Sequence, residues 1–330
     1  MIEISVIVTA YNRKEFLKDA LESLNNQTLE KDKFEVILIT NFEYDPYEYI
    51  KEVSVKHIVM DGSLGEYTHR GIAESRGEII AFLDDDDLFT IDKLAKLHYN
   101  FTPDAIYYKN AVAILNEKNI NKNKPNKSKM ETSPIKRNDL KYPHIYAYNK
   151  SSISVKKSFI NKYNKFFPKL VAGDDWLLFF AFMDDGELGI YDPNALTLYR
   201  RHYSTSTRAV LVSDKNYNSY IEFLGKIIDS FSYMRIIMKD PDVKKIIDYQ
   251  LSIFNARRSL LLQTKEGYLT KSDIENLFNA VLMKYNETLI IRLLFIRAFI
   301  FFNFPKLSPI FERLYALFSR KINSLQNKQS

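Results

Sequence analysis

Three short stretches of this chain concentrate the groups that do chemistry. The apolar run at 78–83 ends in four consecutive aspartates, Asp84, Asp85, Asp86 and Asp87. Open α/β sheets place their ligands at the C-terminal edge of such strands. Adjacent carboxylates repel one another, and a hard divalent cation relieves the repulsion by taking their oxygens while bridging a substrate diphosphate. Mg or Mn is the expected ion. The alternative is a solvated acidic turn capping a helix that starts near Thr90, since aspartate suits N-caps and first turns. A buried approach to the cluster favours the site.

The second stretch is Gly173-Asp174-Asp175-Trp176, followed by Leu177, Leu178, Phe179, Phe180 and Phe182. The apolar run predicts a buried helix with carboxylates at its start. A partly desolvated carboxylate there has a raised pKa and can deprotonate a hydroxyl as a general base. An N-cap role for Asp174 is the alternative, and the two can coexist. The third stretch, Tyr199-Arg200-Arg201-His202-Tyr203-Ser204-Thr205-Ser206, packs two guanidiniums, an imidazole and hydroxyls into eight residues. Arginine forks suit phosphate, and a neutral His202 can add a nitrogen ligand to a metal already held by carboxylates. Taken without its neighbours, His202 reads as a hydrogen-bonded structural residue.

Elements must bring these stretches together. Residues 3–9 and 34–40 are short, apolar and β-branched, with a helix-periodic stretch from Lys14 to Asn25 between them, which is one βαβ unit. Further apolar runs at 55–59 and 78–83, separated by a helix-like Glu66 to Ser75, extend the alternation to an α/β fold with a mostly parallel sheet flanked by helices. Asn116 to Asn138 is rich in Asn, Lys, Ser and Pro and reads as a loop or insertion. A second compact stretch runs from Tyr142 to Arg208. From Lys215 onward the pattern is helical, with amphipathic segments at Tyr217–Met238 and Val243–Leu262, so a boundary falls near 210.

The 330 residues suffice for one large domain and a smaller appendage. With no cysteine at all, disulfides, thiolate metal sites and a cysteine nucleophile are excluded, and a reducing compartment fits. Met1 leads straight into Ile4, Val6, Ile7 and Val8, a first strand rather than a leader, so a cytoplasmic protein is expected. The net charge of +6 is unevenly placed: acid dominates at 84–87, whereas Arg292, Arg297, Lys306, Arg313, Arg320, Lys321 and Lys328 crowd the last forty residues. The apolar, basic segment 288–321 could lie in a membrane interface or pack as an ordinary helix pair. Arg292 and Arg297 interrupt its most apolar part, so a spanning helix is not expected. No basic stacking platform for nucleic acid is evident.

The order of these motifs resembles family 2 glycosyltransferases over roughly residues 1–208. Ser5-Val-Ile-Val-Thr-Ala-Tyr-Asn12 with Ala20-Leu-Glu-Ser-Leu-Asn-Asn-Gln-Thr28 is similar to that family's opening strand and helix. Gly77-Glu-Ile-Ile-Ala-Phe-Leu-Asp-Asp-Asp-Asp87 is similar to its nucleotide-sugar strand and DxD motif. The resemblance implies a GT-A, Rossmann-like catalytic domain over 1–210, with both nucleotide-sugar and acceptor halves; the helical region 211–330 lies outside the resemblance, and its amphipathic pattern suits packing on that domain, on a second subunit or against a membrane. By the same resemblance Thr9, Ala10, Tyr11 and Asn12 border the base and ribose, and Asp84 and Asp85 face the ribose or diphosphate. Asp86 holds the metal, with His202 completing the metal or diphosphate site. Asp175 is the general base, Asp174 its acidic neighbour, and Trp176 lies on the acceptor side.

Two departures stand out. Thr40-Asn41-Phe42-Glu43 replaces the family's Asp-Asp-Gly-Ser turn, leaving Asn41 to hydrogen-bond a base. Tyr67-Thr68-His69 replaces Ala-Arg-Asn, with Arg70 as the substitute arginine. A Gln-x-x-Arg-Trp segment, expected of processive synthases, is absent after Trp176. The resemblance therefore implies inverting transfer of a single sugar from a UDP- or GDP-sugar to a glycan or lipid-linked acceptor hydroxyl. The competing readings are a sugar-nucleotide-binding relative without catalysis and a scaffold; a nucleotidyltransferase is disfavoured because no glycine precedes Gly62.

Overall fold

The computed structural model describes residues 2–115, 130–200, 217–262, 269–283 and 289–310. Strands β1 (Ile4–Ala10), β2 (Phe34–Thr40), β3 (Ser54–Val59) and β4 (Ile79–Asp84) pair in parallel in the order β3-β2-β1-β4. Helices α1 (Leu17–Asn25) and α2 (Leu64–Glu74) make the crossovers between them. Every residue of β1 and β2 is buried, as continuous apolar runs in a two-sided parallel sheet require. Ser63 starts α2 with a reciprocal capping box to Glu66, which satisfies two orphan amides at once.

The chain then departs from simple alternation. After the short β5 (Leu88–Phe89) and α3 (Lys93–Asn100) come β6 (Ala105–Ile114), β7 (Ser133–Ile135), α4 (Pro143–Tyr146), β8 (Ile153–Lys156), α5 (Lys157–Asn161), α6 (Asp174–Asp185) and β9 (Leu188–Tyr199). β8 runs antiparallel between β4 and β6, β9 runs parallel to β6, and β5 and β7 pair antiparallel with β9. Two expectations change. The aspartates do not cap a helix near Thr90, because β5 intervenes and α3 begins only at Lys93. Within the expected loop, 133–135 pair with β9 as an edge strand, where Pro134 costs no ladder bond; residues 116–129 lie outside the described residues.

The sheet separates two cores. On one face α1 and α3 cover Val6, Val8, Leu38, Leu83 and Tyr108. On the other, Ile7, Ile80, Phe82 and Tyr107 meet α6, and beyond it α7 (Tyr217–Ile237), α8 (Pro241–Leu262), α9 (Lys271–Leu282) and α10 (Leu289–Asn303) join the same cluster. α6 is apolar on all sides and central to this core; each of its buried Leu and Phe side chains contributes roughly 1.5–3 kcal/mol. Gly65 lets α2 lie against the turn after α5, for a Cβ there would sit 2.1 Å from the carbonyl oxygen of Phe167. That close approach fixes how α2 faces α6.

Candidate active site

The C-terminal ends of β1 and β4 are adjacent, with Thr9 opposite Asp84. The antiparallel register of β8, which sets Ala81 opposite Ser154, carries the turn at Lys150–Ser152 to the same edge. There the Ser151 hydroxyl accepts the Asp84 amide at 3.0 Å. Lys150 is buried and its Nζ reaches three stretches of chain: Asp84 at 3.3 Å, Asp174 at 3.0 Å and the Thr9 hydroxyl at 3.3 Å. Burial alone would lower the pKa of this ammonium, but the Asp174 and Asp84 charges outweigh it and leave it raised. Lys93 donates to the Ser151 carbonyl and, at 2.9 Å, to Thr197; Lys109 donates to the Ser152 hydroxyl. These two lysines brace the turn from beneath, and burial pushes Lys109 down to about 7.

The four aspartates part company at this edge. Burial pushes the Asp84 carboxyl up more than Lys150 pulls it down. Asp85 takes a two-pronged guanidinium from Arg13, at 2.6 and 2.5 Å, yet burial still lifts it to about 6. Asp86 accepts the same Arg13 at 2.7 Å. Asp87 points inward, bonded by the Asn149 amide and, at 3.2 Å, by the backbone N–H of Arg200; burial, then Asp84 and Asp86, push it up to about 7.

α6 opens at Gly173, whose positive φ of 79° suits a residue without a Cβ. Neither aspartate caps the helix; both sit in its first turn. Asp174 accepts the Thr68 hydroxyl at 2.7 Å as well as Lys150. Asp175 is partly exposed, bonded by the Trp176 amide at 2.9 Å. Burial and the neighbouring Asp174 and Asp84 charges raise its pKa well above the usual carboxylate range, against the weaker pull of that amide and Lys150. The result is a desolvated carboxylate of the kind a general base requires.

These groups line one cleft of about 1160 Å³, whose walls include Thr9, Tyr11, Asn12, Arg13, Asp84–87, Lys150, Asp174, Asp175 and Trp176. Ala10 is buried behind it at the end of β1. Tyr11 stands exposed at the rim, edge-on to Tyr67 at 6.2 Å. Two expected residues lie elsewhere. Asn41 is held by Asn12, accepting its amide at 2.9 Å and donating to its side chain at 2.6 Å, so it braces the turn after β1 and does not line the cleft. Arg70 is half-exposed and paired with Glu74 at 2.7 Å; the face of α2 turned inward carries Tyr67, Thr68, Gly71 and Ile72, so Thr68 is the α2 residue that reaches the acidic centre. Arg200, expected to face phosphate, instead pairs with Asp19 at 2.6 Å and stacks 4.4 Å over the Phe16 ring. Arg201, His202 and Tyr203–Ser206 lie outside the described residues.

Lys150, Arg13 and Thr68 were not singled out from the sequence. Arg13 directly follows the Thr9–Asn12 run, and that adjacency was an available signal. Lys150 sits among small polar residues just ahead of an apolar strand; only the pairing of β8 with β4 shows that it is a counter-ion.

The acidic cleft thus lies at the carboxyl edge of a mixed sheet, where open α/β folds bind their ligands. A family profile for "Glycosyl transferase family 2" matches residues 5–163, just under half of the chain, and that stretch is a family 2 glycosyltransferase domain. That match ends short of Asp174 and Asp175, so the second half of the site rests on geometry. The poly(ribitol-phosphate) beta-glucosyltransferase of Bacillus spizizenii is 28% identical over 110 residues, 31% of this chain and 17% of that relative. In the first curated relatives the matched stretch spans less than a third of the relative's own length. Among solved structures, S. aureus TarS 1–349 with UDP-GlcNAc aligns at a TM-score of 0.54 and 14% identity, covering 86% of this chain and 81% of that one. The mannosyltransferase PcManGT of Pyrobaculum calidifontis, with GDP-Man and Mn2+, aligns at 0.52 and 14%, covering 92% and 88%. At such identity the likeness is one of fold.

Replacing Lys150 with Met strands Asp84 and Asp174 as unpaired buried carboxylates. The expected loss is about 3–5 kcal/mol of unfolding free energy, read by urea denaturation, with Lys150→Arg retaining most of it; equal stability of wild type and Lys150→Met would show that the cluster holds nothing together.

Proposed function

We propose that the protein transfers one sugar from a nucleotide-diphosphate sugar to an acceptor hydroxyl with inversion at the anomeric carbon. The observation that carries this reading is that Asp175, with its raised pKa, and the acidic turn at 84–87 face the same cleft. The diphosphate would lie at the carboxyl edge of β1 and β4. Asp175 takes the acceptor proton as the hydroxyl attacks from the face opposite the leaving group, and Asp174, held by Lys150 and Thr68, keeps Asp175 basic through its charge. Arg13 is the cation nearest the 85–86 carboxylates, and its guanidinium suits the phosphate oxygens of a donor.

Hard carboxylate oxygens suit Mg or Mn. No cluster of three His, Cys, Asp or Glu side chains among the described residues forms a protein cage. Such ions, however, are commonly held by one or two carboxylates with substrate phosphates completing the shell, a pattern that Asp86, with Asp84 beside it, fits. The ion would supply Lewis-acid stabilisation of the charge that develops on the departing diphosphate. The Mn2+ and GDP-Man of the mannosyltransferase neighbour, and the UDP-GlcNAc of TarS, support a metal and a UDP- or GDP-sugar without choosing the base.

The protein also docks peripherally on an anionic membrane in this reading. No described helix is long and apolar enough to cross one. α10 buries Ile291, Leu294, Ala298 and Phe301 in the core yet exposes Ile296, Phe299 and, beyond its end, Phe304 and Leu307. Arg292, Arg297 and Lys306 accompany them, and residues 289–310 contain no acid, a composition that fits an interface with anionic lipid. Residues 311–321 of the expected membrane segment lie outside the described residues.

Three measurements test these points. Calorimetry with a panel of UDP- and GDP-sugars should give Mn-dependent binding that Asp86→Ala weakens at least tenfold; equal binding by the variant would remove the acidic turn from the donor site. In a pH profile, kcat/KM should rise with pH and level off at a pKa above the ordinary carboxylate range, because only ionised Asp175 accepts the proton. Asp174→Asn removes a negative neighbour, lowers that pKa and shifts the limb to lower pH, while Asp175→Asn cuts kcat roughly 100- to 10,000-fold; an unmoved limb would exclude Asp175 as the base. Co-sedimentation with phosphatidylglycerol vesicles should exceed that with phosphatidylcholine, and Phe299→Glu should abolish the difference; indifference to lipid charge would refute the docking.

A further inference from the structure

One corner of the cleft takes no part in the chemistry above. Tyr148, just ahead of the turn that carries Lys150, and Tyr199, the last residue of β9, both line it, with their rings edge-on at 5.9 Å. Asp87 brings the two together. One of its oxygens accepts the side-chain amide of Asn149, next to Tyr148, and the other accepts the backbone N–H of Arg200, next to Tyr199. Asp87 is itself buried, whereas Tyr148 keeps 45% of its surface exposed, so an accessible ring is held from a fixed base. Burial, then the Tyr199 hydroxyl, then the Asp175 and Asp87 charges hold the Tyr148 phenol well above its usual pKa. It is therefore a neutral hydrogen-bond donor within range of both carboxylates.

With the diphosphate at the carboxyl edge of β1 and β4, and Asp175 taking the proton of the attacking hydroxyl, the anomeric carbon comes between the 84–87 turn and α6. Tyr148 borders that interval. A sugar ring has an apolar C–H face and hydroxyls around its edge, and it fits an aromatic face with a few polar groups beside it. We propose that Tyr148, backed by Tyr199, is the subsite for the transferred sugar ring, and that this subsite admits an uncharged sugar. The inference rests on the transferase reading and deepens it by naming the class of sugar. Local charge sets the second half of the choice. Arg13 and Lys150 are engaged by Asp84, Asp85, Asp86 and Asp174, whereas Asp87 and Asp175 take neutral N–H donors. A sugar carboxylate beside Tyr148 would share the corner with the ionised Asp175 that proton transfer needs, and two like charges so placed disfavour each other's ionised form. Neutral hydroxyls or an acetamido group meet no such penalty.

The test is calorimetry on the full chain in the presence of Mn. The probes are UDP, UDP-glucose, UDP-N-acetylglucosamine and UDP-glucuronate, and likewise GDP, GDP-mannose and GDP-mannuronate. Tyr148→Ala should weaken the neutral nucleotide sugar at least tenfold and leave the matching nucleoside diphosphate within twofold of wild type. Tyr148→Phe should keep most of the affinity, because the ring is retained. Wild type should bind an acidic nucleotide sugar at least tenfold more weakly than its neutral twin. Equal losses of diphosphate and nucleotide sugar in Tyr148→Ala, no loss of either, or a Tyr148→Phe as weak as Tyr148→Ala would each overturn the subsite. Equal binding of acidic and neutral sugars would overturn the selection. The two readings fail separately. If wild type binds neither nucleoside diphosphates nor nucleotide sugars, the donor site and the subsite fall together. If it binds the diphosphates but no neutral nucleotide sugar, or if Tyr148→Ala does not tell the two apart, the subsite alone falls.

Discussion

The site depends on one buried cation. Lys150 lies between the end of β4 and the start of α6, its ammonium shared among Asp84, Asp174 and Thr9. Taking such charges out of water costs several kcal/mol per ion, and their attraction in a low dielectric roughly offsets that cost. Its consequence is therefore geometric more than energetic. Two carboxylate clusters far apart in sequence can approach only with a cation between them, and a single ammonium with three donors sets where each stands.

The same electrostatic constraint explains why four identical side chains end in different states. Asp85 and Asp86 share Arg13, Asp84 takes Lys150, and Asp87 turns inward to Asn149 and the Arg200 amide. Each receives a different donor because β4 ends at Asp84 and the chain turns before β5, so successive carboxylates point in different directions. Burial raises Asp84, Asp85 and Asp87 alike. Asp84 and Asp86 are the two that keep solvent access, their side chains 31% and 16% exposed.

α6 couples this edge to the rest of the molecule. Its first turn carries Asp174 and Asp175, while its length is enclosed by the sheet on one side and by α7 and α8 on the other. The helical region thus packs on the very element that bears the proposed base, and its inner face becomes one wall of the cleft. Core packing and surface exposure coexist on α10 for a similar reason: a helix apolar all round keeps one face for the core and must show the other.

Much of this was written in the local sequence. The β-branched runs at 34–40 and 78–83, the helical period of α1, the carboxylates at 84–87 and 174–175 and the all-helical pattern after 215 depend on neighbours within a few residues, and periodicity reports them directly. What the sequence could not supply is who stands opposite whom. The antiparallel course of β8 put Lys150 beside Asp84, the inward face of α2 brought Thr68 rather than Arg70 to Asp174, and the turn after β1 spent Asn41 on Asn12. Arg200 was drawn to Asp19 instead of the cleft. Side-chain chemistry is a property of residue type, and so the sequence alone determined which reactions were available. Counter-ions, desolvation and the second wall of the cleft arise from contacts between distant segments, which only the packed sheet and helices could decide.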